Sequence, residues 1–184
     1  MQRRHLLLTL AASGWPFAHA QPGADIAALL KAGNCVLMLR HAQTEPGIGD
    51  PPGFRLEQCS TQRNLSEDGL AQARKIGQWF NSRKLEPSAV RSSAWCRCKD
   101  TAEAAFGRFT VLPALGSTFE AQDQRSDDRK SLMSLLGSIP KGRFEVWVTH
   151  QVNIAAFTGI SPAMGEAVLV GGDGRPAGRA VLAG

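Results

Sequence analysis

Four side chains in this sequence could between them handle an anionic group: Arg40, His41, Arg97 and His150. Arg40-His41 closes the apolar run Cys35-Val36-Leu37-Met38-Leu39, and Thr149-His150 closes the run Phe144-Glu145-Val146-Trp147-Val148. Neutral imidazole is a nucleophile, and a guanidinium offers a planar fork of donors that suits phosphate oxygens. Ser92-Ser93-Ala94-Trp95-Cys96-Arg97 sets two hydroxyls and an arginine just after a third short apolar stretch. If a helix starts there, its first N–H groups favour anions and Arg97 adds a charged fork. Taken singly, each feature has a plain structural reading. A strand-end histidine can cap a carbonyl, and an arginine can lie in solvent. Together they each follow a predicted strand, which brings them to one edge of a sheet, where open α/β sheets bind ligands.

The elements that must position them follow from periodicity and turn signals. Residues 35–39 and 144–148 are continuous apolar runs, as expected of strands buried on both faces. Asp25 to Ala32 has helical spacing, with Gly33 as C-cap. Residues 42–62 are rich in Gly, Pro and polar types, with turn signals at Glu45-Pro46-Gly47 and Asp50-Pro51-Pro52-Gly53. A loop of that length within a domain is often functional. Ser66 reads as an N-cap, with Glu67 and Asp68 in the first turn. Leu70, Ala73, Ile76, Gly77 and Phe80 continue a helical face to about residue 83, and Pro87 is the stop. Ala89 to Ser92 and Phe109 to Leu112 are strand candidates. Cys96–Phe106, Arg125–Leu136 and about 152–158 are helix candidates. Residues 167–170 and 179–182 flank Gly171-Gly172-Asp173-Gly174, which predicts a hairpin. The alternation implies a three-layer α/β/α sandwich with a mostly parallel central sheet and an antiparallel C-terminal edge.

The first twenty residues read as a cleaved export signal. Arg3 and Arg4 form a positive region, Leu6 to Phe17 a short interrupted apolar stretch, and Ala18-His19-Ala20 a small-residue cleavage site. The segment loosely resembles a twin-arginine signal. Cleavage would leave residues 21–184 as a single domain, periplasmic or secreted, with only His41 and His150 as histidines. The formal charge would fall from +5 by the two arginines lost, to +3. That balance suits a small anion. No Lys/Arg block interleaves with aromatics, so neither nucleic acid nor stable membrane insertion is expected. Four cysteines remain, and a disulfide is plausible in an oxidising compartment. Cys59 with Cys96 or Cys98 is the favoured pairing, and Cys35 reads as a buried free thiol. A zinc site would need a second close pair of ligands to match Cys96-Arg97-Cys98.

Four motifs, in order, then resemble the histidine phosphatase superfamily (phosphoglycerate mutase-like). They are Leu39-Arg40-His41-Ala42-Gln43-Thr44, the segment from Asn64 to Ala73, the segment from Ser92 to Ala102 and Val148-Thr149-His150. The resemblance implies a phosphate monoesterase with His41 as nucleophile. Arg40, Arg97 and His150 would hold the phosphoryl oxygens, and neither metal nor cofactor would be needed. Arg63 could reach the pocket or lie on the surface. The family usually has glycine after each histidine. Ala42 adds only a methyl group, whereas Gln151 could contact the substrate. The family often places a general acid after the third strand, which implies Glu120, or Asp123 as second choice. By analogy with short exported relatives, the substrate is a small phosphorylated compound, such as an envelope sugar phosphate. Two other readings compete: a non-catalytic phosphate- or polyanion-binding domain, and a two-histidine metal hydrolase using Glu120 or Asp123.

Overall fold

The computed structural model of the protein describes residues 25–119 and 125–183. The proposed signal segment, Glu120 and Asp123 lie outside these residues. The described elements run in the order α1 (Ile26–Ala32), β1 (Cys35–Arg40), α2 (Glu67–Ser82), β2 (Ala89–Ser92), α3 (Cys96–Phe106), β3 (Thr110–Val111), α4 (Arg125–Gly137), β4 (Phe144–Thr149), α5 (Gln151–Thr158), β5 (Glu166–Gly171) and β6 (Pro176–Val181). Short 3-10 turns occur at Cys59–Thr61 and Pro113–Leu115.

One six-stranded sheet takes the order β3-β2-β4-β1-β5-β6. β1 pairs in parallel with β4, and β2 in parallel with both β4 and β3. β5 runs antiparallel to β1, and β6 antiparallel to β5. The hairpin therefore extends the sheet beyond β1, and β5 is the single reversed strand. The fold is the expected three-layer α/β/α sandwich.

The continuous apolar runs are explained by burial on both faces. Side chains alternate across a strand. Cys35, Leu37 and Leu39 of β1 join one core with Leu30, Ile76, Phe80 and Ala102, from α1, α2 and α3. Val36 and Met38 join the opposite core with Leu132, Leu136, Ile154 and Phe157, from α4 and α5. The helical face of α2 is buried at Gly69, Ala73, Ile76, Gly77 and Phe80, while Leu70 is only half-buried.

Local signals act as expected at most ends. Asp25 accepts from the N–H groups of Ala27 and Ala28, and Ser66 accepts from that of Gly69. Two boundaries differ. α2 stops at Ser82, ahead of Pro87, because Lys84 takes a positive φ of 52° and turns the chain. β3 has only two residues, since it pairs with β2 alone at the sheet edge.

Two glycines allow close approach. A Cβ on Gly77 would lie 2.2 Å from the Ala105 carbonyl oxygen, so α2 and α3 pack backbone against backbone. A Cβ on Gly69 would lie 1.8 Å from the Gln43 carbonyl oxygen. That same oxygen accepts from the N–H of Ser66. The turn after His41 is thus seated on the first turn of α2.

Candidate active site

The sheet brings both histidines to one edge. Arg40 pairs in register with Thr149, so His41 and His150 leave adjacent parallel strands side by side. The N–H of His41 donates to the Thr149 carbonyl (3.0 Å), and the N–H of Ser93 donates to that of Val148 (2.9 Å). Their imidazole rings meet edge to face with centroids 5.6 Å apart.

His41 has a defined tautomer. Its Nδ1 lies 2.9 Å from the Ala42 carbonyl, which can only accept, so Nδ1 carries the proton. Nε2 is left with its lone pair, has no protein partner among the described residues, and belongs to a ring that lines a cavity of about 470 Å³. Burial lowers the pKa of this ring most. The bond to Ala42 opposes the shift, Arg97, Arg40 and Arg63 add to it, and the result is about 3. The ring is therefore neutral at physiological pH. Ala42 is fully buried, has no positive φ, and donates its N–H to the Thr101 hydroxyl (3.0 Å). The methyl group is accommodated.

His150 is also buried, and burial pushes its pKa well below the ordinary value, with Arg97, His41 and Arg40 adding to the effect. The Ser93 hydroxyl accepts from the N–H of Trp95 (3.3 Å) and stands 2.8 Å from Nε2 of His150. The hydroxyl can either give its proton to Nε2 or accept the proton of the ring there.

Three guanidiniums line the same cavity: Arg40, Arg63 and Arg97. Arg40 is held by the Pro162 carbonyl (2.9 Å), and its Nε has no partner among the described residues. Burial, then Arg63 and Arg97, lowers its pKa from the usual arginine value. Arg63 donates to the Gly49 carbonyl (2.9 Å) and to the Thr44 hydroxyl, which fixes it at the pocket rather than the surface. Gln151 opens α5 and also lines the cavity.

Asp50 is a charged site residue that sequence reasoning missed. Asp50, from the long loop, places Oδ1 2.7 Å from Nη1 of Arg97 and 2.9 Å from the N–H of Arg63. Its Oδ2 accepts from Nε1 of Trp95 (3.1 Å). The two ion-paired side chains are 5% and 7% exposed. Burial pushes the carboxyl up, but bonds from Arg97, Arg63 and Trp95 outweigh it and hold the group below the usual carboxylate range. The only sequence signal here was the turn motif that Asp50 begins.

The α3 start also departs from expectation. Its leading N–H groups are not open to an anion. The N–H of Cys96 donates to Oε1 of Gln62 (3.0 Å), and that of Trp95 is taken by Ser93. Gln62, a loop residue, caps the helix, and its Nε2 donates back to the Arg55 and Leu56 carbonyls. α3 thus supplies the Arg97 side chain, with the amide of its first residue occupied by the loop. A disulfide joins Cys59 of the loop to Cys96 beside Arg97, across 37 residues. Cys35 and Cys98 are free and buried, and burial raises their thiols to about 11 and about 12. Neither is a nucleophile at neutral pH.

Residues 36–118 match the family model of the histidine phosphatase superfamily (branch 1). Those residues carry Arg40, His41, Arg63 and Arg97, and the fold adds His150 to them. That match assigns residues 36–118 to the histidine phosphatase superfamily. Solved structures share the fold of this chain at low identity. The protein histidine phosphatase SixA complexed with tungstate is 16% identical, with a TM-score of 0.54 over 77% of this chain and 92% of that one. TTHB049 from Thermus thermophilus is 21% identical, with a TM-score of 0.52 over 79% of this chain and 98% of that one. The open reading frame Rv3214 from Mycobacterium tuberculosis is 19% identical, with a TM-score of 0.55 over 74% and 90%. Among curated proteins, none matches the chain.

Proposed function

We propose that this histidine phosphatase superfamily member is an exported enzyme that hydrolyses small phosphate monoesters through a phosphohistidine on His41, without a metal. One observation carries the reading. Among the described residues, the unpartnered Nε2 of neutral His41 shares its cavity with three guanidiniums and a single carboxylate. That leaves two formal positive charges for a phosphate dianion, next to a nucleophile that needs no deprotonation.

The chemistry follows from that charge. Nε2 of His41 attacks phosphorus, and the bond from phosphorus to the leaving oxygen breaks. Phosphoryl transfer depends mainly on positioning and on stabilising charge at the equatorial oxygens. Arg40, Arg63, Arg97 and the His150 ring are the groups that hold those oxygens. The leaving oxygen takes a proton from a general acid, for which the family resemblance offers Glu120, then Asp123. Water then attacks the phosphohistidine, which returns Nε2 and releases inorganic phosphate. Gln151, at the cavity wall, is proposed to contact the leaving group.

Protein freed of metal by chelation is expected to hydrolyse p-nitrophenyl phosphate, with acid-labile phosphate trapped on His41 and activity abolished in His41→Ala. Phosphate binding without turnover of any ester would instead make the chain a phosphate-binding domain. Activity lost on chelation and restored by metal would favour a metal hydrolase. The compartment is proposed from residues 1–20. Protein recovered from the envelope fraction should begin at Gln21, and full-length protein confined to the cytoplasm would overturn export. No helix among the described residues is long and apolar enough to cross a membrane.

A further inference from the structure

Four large hydrophobic residues are exposed among the described residues: Ile48 (94%), Val181 (67%), Phe119 (56%) and Val111 (48%). Val111 and Val181 lie on β3 and β6, the two edge strands, where a partly open face is ordinary. Ile48 and Phe119 have no such reason. They come from different loops, one between β1 and α2, the other ahead of α4, yet both line the cavity that holds His41.

Phe54, Trp95, Val152 and Met164 continue this wall. The Phe54 and Trp95 rings are 6.2 Å apart between centroids and tilted by 41°. The polar groups of the lining are nearly all committed elsewhere. Both oxygens of Asp50 are taken by Arg97, Arg63 and Trp95. The Ser117 hydroxyl accepts from the N–H of Phe119 (3.4 Å) and keeps only its own proton to give. Above the cationic floor, Gln151 and the Ser117 O–H are the polar side-chain groups left to meet a hydroxyl among the described residues. A sugar would thus exchange several hydrogen bonds with water for few in the site, which is costly. An apolar group would exchange water for matching surface, which is favourable.

We infer that the phosphate ester taken by this site carries a compact aromatic or other apolar group beside its phosphate, and that Ile48 and Phe119 select it. This rests on the phosphatase reading above, and it disfavours the sugar phosphate expected from family analogy.

The test compares 2-phenylethyl phosphate with glucose 6-phosphate. Both are esters of primary alcohols, so leaving-group chemistry is nearly matched. The ratio of kcat/KM should favour the phenylethyl ester by about tenfold or more, the scale of discrimination an apolar pocket provides. In the double variant Ile48→Ser, Phe119→Ser the ratio should fall toward one. A ratio at or below one in the unmodified protein, or an unchanged ratio in the double variant, would overturn the inference. If neither ester is turned over, calorimetry with 2-phenylethylphosphonate and methylphosphonate decides. Tighter binding of the first upholds the apolar mouth while the hydrolytic reading fails, and equal binding overturns the mouth as well.

Discussion

At the scale of single residues, the described part of the cavity sets one internal anion against three cations. Asp50 supplies Arg97 with a countercharge and a fixed direction, and the same carboxylate holds Trp95, whose ring meets His150 edge to face at 5.2 Å. Removing one member of a buried ion pair strands the other, at a cost of roughly 3–5 kcal/mol. Asp50→Ala should therefore lower the unfolding temperature. Inorganic phosphate should return much of the loss, because an anion bound to Arg97 takes the place of the carboxylate. A ligand at about a hundred times its dissociation constant adds about 2.7 kcal/mol. Thermal unfolding with and without phosphate checks this. Equal phosphate shifts in Asp50→Ala and the unmodified protein would show that Asp50 does not stand in for the ligand.

At the scale of elements, the site depends on two segments being seated on helix starts. The turn after His41 rests on α2 through Gly69, and the long loop rests on α3 through Gln62 and the Cys59–Cys96 disulfide. Gly69→Ala places a methyl group against the Gln43 carbonyl, so the turn or the helix must move. Overpacking of this kind costs about 1–3 kcal/mol. Because Gln43 is two residues from His41, kcat on p-nitrophenyl phosphate should fall along with stability. An unfolding temperature and kcat both unchanged in Gly69→Ala would mean that the contact does not position the nucleophile. Sequence reasoning placed Ser66 as the cap and Gly69 within a helix, but not the backbone that presses on that glycine. The reason is that Gln43 reaches α2 only once β1 is packed beside it.

At the scale of the whole molecule, two neutral histidines inside a cationic cleft make stability depend on pH. Both have folded pKa values below the ordinary 6.5, so the unfolded chain binds more protons in acid. Their contribution is fully present above about pH 6.5 and is lost as pH falls below it, by about 1.4 kcal/mol per unit for each ring. For His41 the loss continues to about pH 3. Denaturant unfolding between pH 7 and 4 should show falling stability, less steeply in His41→Ala. Flat stability over that range would contradict the buried neutral rings. Much of this architecture was legible in the chain. Runs apolar at every position mark strands buried on both faces, and a charged residue at the end of such a run marks where the strand surfaces, so Arg40, His41 and His150 could be placed at one sheet edge from sequence. Periodicity likewise placed α3 and put Arg97 in its first turn. What only the tertiary structure decided lies in the long loop. Asp50, Gln62 and the choice of Cys96 as the partner of Cys59 depend on where an aperiodic segment folds back, and no local pattern encodes that path. The same holds for Ile48 and Phe119. An exposed apolar residue acquires meaning only when two loops, 71 positions apart in the numbering, are seen to share one cavity.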